Sequence, residues 1–202
     1  MFKKTLVLAT LFVFGMSMLY AAGCKEQEQQ EVQTADNSAV LFSLLNHFSA
    51  REYAQEQVTQ EERDFIVQAG LRAPSAGNRQ PWFFIVVEDQ ELVKQILPDA
   101  TEGNILIVST GVLDGTRDNA VILDAGLAAQ SMFIAAQALG LGSRQYTNPG
   151  LIGRTNDLKD ELGIPADHTA IIVTRFGRLP EDVDVVSSAS PRAEPETKVN
   201  YK

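Results

Sequence analysis

The sequence predicts a domain of the α/β or α+β class, in which helices flank a small mixed sheet. Three apolar runs, at 82–89, 104–112 and 168–177, have the length and composition of buried strands and alternate with helical patterns. The longest predicted element, a helix over residues 118–142, is apolar on most of its faces and rich in alanine. Such a helix is typical of the centre of a fold, because every apolar face must pack against a neighbour.

Helical patterns precede the first strand and follow it. Over residues 39–48 the apolar side chains recur at helical spacing, at Leu41, Leu44, Leu45 and Phe48. A second helix is predicted from Thr59, which forms a capping-box pattern with Glu62, as far as Pro74, which stops it. After the first strand, Asp89 is expected to cap a short helix that runs through Leu97.

The second half of the chain continues the alternation. Gly140 and Gly142 are expected to end the long helix, and residues 143–150 to form a short strand that leads into a loop. A further helix is predicted at 155–164, ended by Gly163 and Pro165. The tail from Pro180 onward has no core-forming period.

The first 23 residues have the pattern of a bacterial export signal. Lys3 and Lys4 are followed by an uncharged apolar stretch, and small residues then precede the only cysteine, Cys24. The ending AAGC resembles a lipobox, which implies that Cys24 is lipidated; an uncleaved signal anchor is the alternative. Residues 24–38 are polar and predict a flexible tether, and residues 39–202 the folded domain. We therefore expect a lipid-anchored protein of the bacterial cell envelope that faces outward from the cytoplasm.

Charge and composition exclude several classes of function. The chain has 17 Lys and Arg against 26 Asp and Glu, a net charge of −9, and removal of Lys3 and Lys4 with the signal makes it −11. Neither a nucleic-acid partner nor attraction to an anionic membrane by charge is therefore expected. With Cys24 lipidated no thiol remains, and His47 and His168 are the only histidines, so no metal site is predicted.

Residues 47–53, HFSAREY, bring an imidazole, a hydroxyl and a guanidinium together after the first helix. In an extended backbone His47, Ser49 and Arg51 point to one side, because successive side chains alternate. This arrangement suits a phosphate, which Arg51 binds with two hydrogen bonds and Ser49 with one. The alternative is a polar helix end with a surface arginine.

Residues 73–82, APSAGNRQPW, place turn formers and amide side chains directly before a buried strand. Ser75, Asn78 and Gln80 both donate and accept hydrogen bonds, which suits a flat heteroaromatic ring with mixed edges, such as a flavin. The alternative is a hydrogen-bonded turn that leads into the strand. The sequence has neither a phosphate-binding glycine fingerprint in Rossmann context nor a Gly-x-Ser-x-Gly elbow, so a Rossmann domain and a serine hydrolase are not supported.

Together these stretches resemble the motifs of the nitroreductase family of FMN-dependent oxidoreductases. The family opens with a motif like Arg-Arg-Ser-x-Arg-x-Phe, here HFSAREY, and continues with Pro-Ser-x-x-Asn-x-Gln-Pro-Trp, here PSAGNRQPW. The stretch DAGLAAQSMFIAAQALGLGS is similar to the family's central dimer helix, and the resemblance spans residues 39 to about 200. It implies a nitroreductase-like α+β fold, a homodimer with a long central dimer helix, and FMN as the cofactor.

The resemblance also implies which residues contact FMN. Ser49 and Arg51 would contact the phosphate and the ribityl chain. Pro74, Ser75 and Asn78 would approach the ring system, partly from the partner subunit. The complete implied set of cofactor-binding residues is His47, Phe48, Ser49, Arg51, Pro74, Ser75, Asn78, Gly150 and Arg192. It includes no metal ligand and no side chain with a catalytic role of its own.

Three positions depart from the family pattern. His47 stands where the family usually has arginine, and a neutral imidazole is a weaker partner for phosphate. In the segment TNPGL, the candidate for backbone N–H donors near the reactive flavin nitrogen, Pro149 has no N–H, so Gly150 would have to donate. Near the C-terminus Pro191 stands in place of a lysine, whereas Arg192 is a plausible match to a phosphate-binding arginine.

The activity that the resemblance implies is hydride transfer through flavin N5 to a nitroaromatic- or quinone-like acceptor, in ping-pong order. NAD(P)H is cytosolic, so an outward-facing domain would take electrons from a membrane quinol or an exported redox protein, unless the signal is misread and the protein is cytosolic. Two other functions stay open. One is a lipid-anchored protein on the same fold that holds a flavin or another aromatic ligand without turnover. The other is a structural surface lipoprotein without a ligand.

Overall fold

A computed structural model of the chain describes residues 37–183 and 191–202. The predicted signal peptide (1–23), the lipidation site Cys24 and the tether as far as residue 36 lie outside the described residues. The helices and strands follow in this order: α1 (Asn37–Asn46), α2 (Gln60–Leu71), β1 (Phe83–Val87), α3 (Gln90–Ile96), β2 (Ile105–Gly111), α4 (Asp118–Ala138), β3 (Leu141–Tyr146), α5 (Pro149–Asp157), α6 (Lys159–Leu162) and β4 (Thr169–Arg178).

The strands of the described residues form one sheet in the order β1-β2-β4-β3. All of its pairings are antiparallel, so the prediction of a mixed sheet is wrong, although the α+β class is confirmed. β2 and β3 do run in the same direction, but β4 lies between them and is antiparallel to both. The connection from β2 to β3 through α4 is a long crossover, as strands that run in the same direction require, and β4 lies between the two strands.

Both faces of the sheet are covered by helices. On one face α3 and α5 pack against strand residues such as Val108 and Val173, which are fully buried. On the other face α2 and α4 pack against Ile107 and Phe176, also fully buried. Every residue of β2 is buried, as expected of a central strand with helices on both sides.

α4 is the long central helix that the sequence predicts. Side chains such as Ala128 and Met132 are fully buried against the rest of the fold. The opposite face leaves Ile122, Leu123 and Leu127 exposed at 44, 63 and 37%. Among the described residues α4 is the helix whose length and composition would suffice to cross a membrane, but 44% of its apolar window is buried inside the protein, in keeping with a core helix.

α4 ends earlier than predicted, at Ala138, and Gly142 belongs to strand β3. Gly140 does follow the helix end in the left-handed region, with φ of 76°. Gly142 has a different role: a Cβ at this position would lie 2.7 Å from Leu179 Cδ2 and 2.9 Å from Ala50 Cβ. It therefore allows two neighbouring segments to pack closely against β3.

α1 forms near the predicted position, starting at Asn37 rather than Ala39, and it ends before Phe48. The apolar side chains of residues 41–46, the part of α1 whose burial the structure describes, are exposed. Together with the exposed side chains of α4, against which α1 packs, they make up what we call the apolar surface. Its members, 37–79% exposed, are Leu41, Phe42, Leu44, Leu45, Ile122, Leu123 and Leu127. An apolar surface of this kind on a folded chain marks a site of interaction.

The helix predicted at 155–164 begins earlier, at Pro149, and is divided at Leu158 into α5 and α6. Pro149 occupies the first helical position, where a missing N–H removes no helical hydrogen bond. As a result, Gly150 lies in the first turn of a helix instead of in a loop.

The capping box that begins α2 also holds the end of β4. Thr59 and Glu62 form the predicted reciprocal hydrogen bonds, and a Glu62 carboxylate oxygen lies 2.7 Å from Nη1 of Arg178. Partial burial opposes ionisation of Glu62, but the hydrogen bonds from Thr59 and the Arg178 guanidinium outweigh it. They hold the pKa of Glu62 below its usual value.

We expect Glu62→Gln to lower the free energy of unfolding at pH 7 by about 1–2 kcal/mol, because a charged cap and an ion pair are lost. Since the folded-state pKa is lowered, this stability is present above the unfolded-state value of about 4.3 and is lost as pH falls through the folded-state value. The variant and the wild type should therefore converge in urea denaturation at acid pH. Exposed Glu61 supplies the control, Glu61→Gln. An equal loss in both variants would contradict the assignment.

Candidate functional site

Residues 47–54 cross the outer edge of β3 without helical structure. Phe48 and Ala50 are buried, at 5 and 1% exposure, whereas Ser49 and Arg51 are exposed. This alternation is that of an extended backbone, as predicted, and it turns Ser49 and Arg51 outward together. Because the Phe48 side chain is buried beside Ala50 and Tyr53, only its backbone is accessible to a ligand.

Hydrogen bonds to three elements fix the course of this segment. The N–H of Ala50 donates to the carbonyl of Ser143 in β3 at 3.0 Å, and the N–H of Ala54 donates to the last residue of β4 at 2.9 Å. The side-chain amide of Gln137, in the last turn of α4, donates to the carbonyl of Phe48 at 2.5 Å. The segment is therefore attached to β3, β4 and α4 by hydrogen bonds.

His47 is turned toward the helices. Its Nδ1 donates to the carbonyl of Leu44 at 2.7 Å, and its ring lies edge-on to Phe133 at a centroid distance of 5.7 Å. Because Nδ1 must carry a proton to donate to this carbonyl, Nε2 carries a lone pair in the neutral ring and an N–H only when the ring is protonated. Of the predicted trio, Ser49 and Arg51 are exposed, whereas His47 is half-buried.

Residues 74–80 form a tight turn before β1, in which Asn78 and Gln80 have φ of 53° and 50°. Left-handed conformations are uncommon for residues other than glycine, although asparagine adopts them more readily than most, and they are found at functional sites. The backbone N–H of Gln80 donates to Ser75 Oγ at 3.0 Å, and Gln80 Nε2 donates to Asn78 Oδ1 at 3.1 Å. Both groups accept within the turn, so the Ser75 hydroxyl proton and the Asn78 amide protons can serve a ligand. Pro74 is exposed beside them.

Asp124 of α4 holds this turn in place. Its side chain is 3% exposed, and its Oδ1 accepts a hydrogen bond from the N–H of Ala76 at 3.0 Å. The sequence analysis predicts no role for Asp124, nor for Gln137, which holds the segment 47–53. A carboxylate on the buried face of an alanine-rich helix was the available signal for Asp124, because a buried charge requires a partner.

Gly150 is exposed in the first turn of α5. The first N–H groups of a helix have no carbonyl partner within it, so this N–H is oriented for an external acceptor, as the predicted role requires. Arg192 is exposed in the segment 191–202. Among the described residues no cluster of His, Cys, Asp or Glu is placed to hold a metal ion. The candidate site is thus built from N–H, O–H and guanidinium donors.

The two predicted stretches lie at different ends of α4 within one chain. Asp124 holds the turn 74–80 and Gln137 holds the segment 47–53, and this length of helix is about 20 Å at 1.5 Å per residue. The sheet separates them as well, because the turn leads into β1 and the segment lies along β3, the two outer strands. These strands are about 14 Å apart across the sheet. One chain therefore does not bring the predicted phosphate and ring residues together.

Comparison with known proteins tests the resemblance. The model of the nitroreductase family matches residues 44–110, which include both stretches. A protein of Archaeoglobus fulgidus, named "Putative NADH dehydrogenase/NAD(P)H nitroreductase", is 32% identical over 165 residues, which cover 77% of this chain and 94% of that protein. The chain belongs to the nitroreductase family. The predicted family and the predicted enzyme class, an oxidoreductase, are confirmed.

Two further proteins extend this likeness. FMN reductase (NAD(P)H) of Bacillus subtilis is 44% identical over 57 residues, which cover 28% of this chain and 23% of that protein. A solved structure of a nitroreductase with bound FMN from Desulfitobacterium hafniense is similar with a TM-score of 0.67. It covers 81% of this chain and 98% of that chain at 22% identity. The nitroreductase fold predicted from the motifs is therefore confirmed.

Proposed function

We propose that the protein is an FMN-dependent oxidoreductase of the nitroreductase type that acts as a homodimer. The observation that carries the proposal is the pair Ser49 and Arg51, which are both exposed on a segment that is hydrogen-bonded to β3. A guanidinium and a hydroxyl side by side suit the dianionic phosphate of FMN. The name of the FMN reductase relative supports the same cofactor.

The turn 74–80 and the start of α5 fit the ring system of FMN. The edge of an isoalloxazine presents carbonyl oxygens and ring nitrogens that accept hydrogen bonds. Ser75 and Asn78 keep donors for such atoms, since their acceptor groups are used by Gln80 within the turn. Gly150 adds a backbone N–H at a helix N-terminus, where negative charge that develops on the ring is favoured.

A second copy of the chain completes this site. When two α4 helices pack antiparallel about a two-fold axis, the Asp124 end of one lies beside the Gln137 end of the other. The turn 74–80 of one protomer then faces the segment 47–53 of its partner. The apolar surface of α1 and α4 supports this arrangement, because it offers the large apolar side chains that a permanent dimer interface buries.

When bound, FMN supplies the redox chemistry, because its N5 accepts and returns a hydride. The residues of the chain bind and orient: Ser49 and Arg51 hold the phosphate, and the turn and Gly150 fix the ring edge. We propose ping-pong order, in which the electron donor leaves before a nitroaromatic- or quinone-like acceptor enters the same pocket. The names of the relatives support NAD(P)H as a donor.

The visible spectrum of the purified protein tests this function. We expect a yellow protein that releases FMN, and not FAD, on denaturation. Bleaching by NADH and reoxidation by a quinone would support turnover. A colourless protein that also fails to take up added FMN would overturn the proposal. Bound flavin that dithionite reduces and no biological donor reduces would favour the alternative, a lipid-anchored flavin-binding protein without turnover, which the departure at His47 supports.

His47→Arg is expected to tighten FMN binding by about tenfold at pH 8, the effect of one added hydrogen bond between charged groups. In the wild type, FMN affinity should fall from pH 7 to pH 8.5, because Nδ1 is engaged by Leu44 and Nε2 can donate to a phosphate only when the ring is protonated. The second ionisation of the phosphate, near pH 6, acts in the opposite direction and lies below this window. Fluorescence titration of both proteins measures the slopes. A flat wild-type profile, or weaker binding by the variant, would remove His47 from the phosphate site.

We also propose that Cys24 carries the lipid anchor. The sequence from 25 to 38 is polar and offers no other means of attachment. Cys24→Ser should move the protein from the membrane fraction to the soluble fraction and leave its flavin content unchanged, as measured by fractionation and absorbance. Gln30→Ser in the tether is the control. A Cys24→Ser protein that stays in the membrane pellet would instead indicate an uncleaved signal anchor.

A further inference from the structure

Tyr53 occupies a slot that two glycines create in the sheet. Gly142 of β3 and Gly177 of β4 are direct partners in the strand register. A Cβ at Gly142 would lie 3.1 Å from Tyr53 Cε1, and a Cβ at Gly177 would lie 2.9 Å from Tyr53 Cδ1. The ring therefore fills space that side chains at both positions would need, and Tyr53 is 8% exposed.

Arg175 packs against the face of the Tyr53 ring in this slot. The Cζ of its guanidinium lies 4.0 Å from the centre of the Tyr53 ring. Arg175 is itself 2% exposed, and it is held by Asn104 Oδ1, which accepts from Nε at 2.7 Å, and by Thr101 Oγ1, which accepts from Nη2 at 3.1 Å. A cation–π contact is strongest when it is shielded from water, so the ring is clamped between the glycine pair and a fixed cation.

The Tyr53 hydroxyl connects this clamp to the segment that carries Ser49 and Arg51. It donates to the carbonyl of Ala50 at 3.3 Å, while the N–H of Ala50 donates to Ser143 of β3 at 3.0 Å. Ala50 lies between Ser49 and Arg51 in the chain, so both of its backbone groups are held. Burial raises the pKa of the Tyr53 phenol, and this outweighs the opposing effect of Arg175, so the hydroxyl keeps its proton at neutral pH.

We propose that Tyr53 is a positioning residue for the flavin phosphate. Clamped between the glycine pair and Arg175, it sets the course of residues 47–53 over β3, so that Ser49 and Arg51 face the phosphate together. This inference rests on the proposed function. It has a specific consequence, because Tyr53 acts through the phosphate residues alone: its loss weakens binding of FMN and leaves binding of riboflavin, which lacks the phosphate, unchanged.

Titration of the flavin-free full-length protein with FMN and riboflavin tests this consequence. The wild type should bind FMN about 10- to 100-fold more tightly than riboflavin, from one or more charged hydrogen bonds. In Tyr53→Leu this ratio should fall to about 3 or less with riboflavin affinity unchanged. Tyr53→Phe keeps the ring but loses the hydrogen bond to Ala50, so its ratio should lie between those of the wild type and Tyr53→Leu. Gly142→Ala, whose added Cβ would enter the space of Ala50 and Tyr53, should lower the ratio as well. Gly153→Ala, where a Cβ meets nothing within 4 Å, is the control and should not.

The possible failures are distinguishable. Wild-type selectivity in Tyr53→Leu and Gly142→Ala, or an equal loss of affinity for both flavins, would overturn the positioning role of Tyr53 alone. A wild-type protein that binds neither flavin would overturn the proposed function and this inference with it. The flavin-free protein gives an independent measurement by NMR: the amide of Ala50 should exchange faster in Tyr53→Leu, while that of Val173 in β4 stays unchanged. Unchanged exchange at Ala50 would overturn the inference.

Discussion

Arg51→Ala should lower FMN affinity by about 10- to 100-fold, because hydrogen bonds between charged groups contribute about 1.5–3 kcal/mol. Ser49→Ala should cost less, since a single hydroxyl donor contributes about 1 kcal/mol. Arg51 is exposed, so its removal leaves no cavity in the fold. Titration with FMN and riboflavin measures the effect, which should be confined to FMN. Lys94→Ala on α3 is the control for the loss of an exposed cation. Equal FMN affinities for Arg51→Ala and the wild type would show that the phosphate binds elsewhere.

Leu123→Arg should convert the proposed dimer into a folded monomer that holds no flavin, which is the largest effect we expect. Leu123 is 63% exposed in the single chain, so an arginine there disturbs little within it. Across a two-fold interface the same change buries an unpaired charge, which costs several kcal/mol. Light scattering and flavin absorbance of the same sample measure both consequences. Gln95→Arg, exposed on α3 at the other face of the sheet, is the matched control. A monomer with wild-type flavin affinity would contradict a shared site.

Features that depend on neighbours in the chain could be predicted from the sequence. The capping box of Thr59 and Glu62 and the cap at Asp89 both form as expected. They need only contacts within one helical turn, so the local residue pattern determines them. The outward direction of Ser49 and Arg51 is of the same kind, because it follows from the alternation of side chains along an extended backbone.

Features that depend on distant residues could not be predicted in this way. The sequence predicts a helix end at Gly142, whereas the residue lies in β3. A glycine that allows close packing cannot be distinguished in the sequence from one that ends a helix. Asp124 acts on Ala76, which precedes α4 by two strands and a helix, and no local pattern records that contact. The antiparallel sheet has the same origin, because β4 takes its place between β2 and β3 only after the whole chain has folded.

The site itself shows the same division. The motif residues predict two groups of hydrogen-bond donors, but the separation of these groups along α4 is visible only in the fold. His47 was aligned with Ser49 and Arg51 by spacing, whereas the carbonyl of Leu44 and the ring of Phe133 hold it toward the helices. Its contact with a phosphate stays a prediction for the pH titration to test.

The central claim is that each flavin is held by the segment 47–53 of one chain and the turn 74–80 of its partner. Co-expression of Arg51→Ala and Asn78→Asp chains with different affinity tags allows purification of the mixed dimer. Asn78→Asp keeps the size of the side chain and its tolerance of positive φ, but it replaces the amide donor with a carboxylate.

FMN titration of this mixed dimer, beside the two homodimers, is the most direct measurement. Both homodimers carry one defect in every site and should bind FMN weakly. In the mixed dimer the intact Arg51 of one chain meets the intact Asn78 of the other, so we expect one site per dimer with wild-type affinity. A mixed dimer that binds FMN no better than the homodimers would contradict the claim, because both parts of the site would then belong to the same chain.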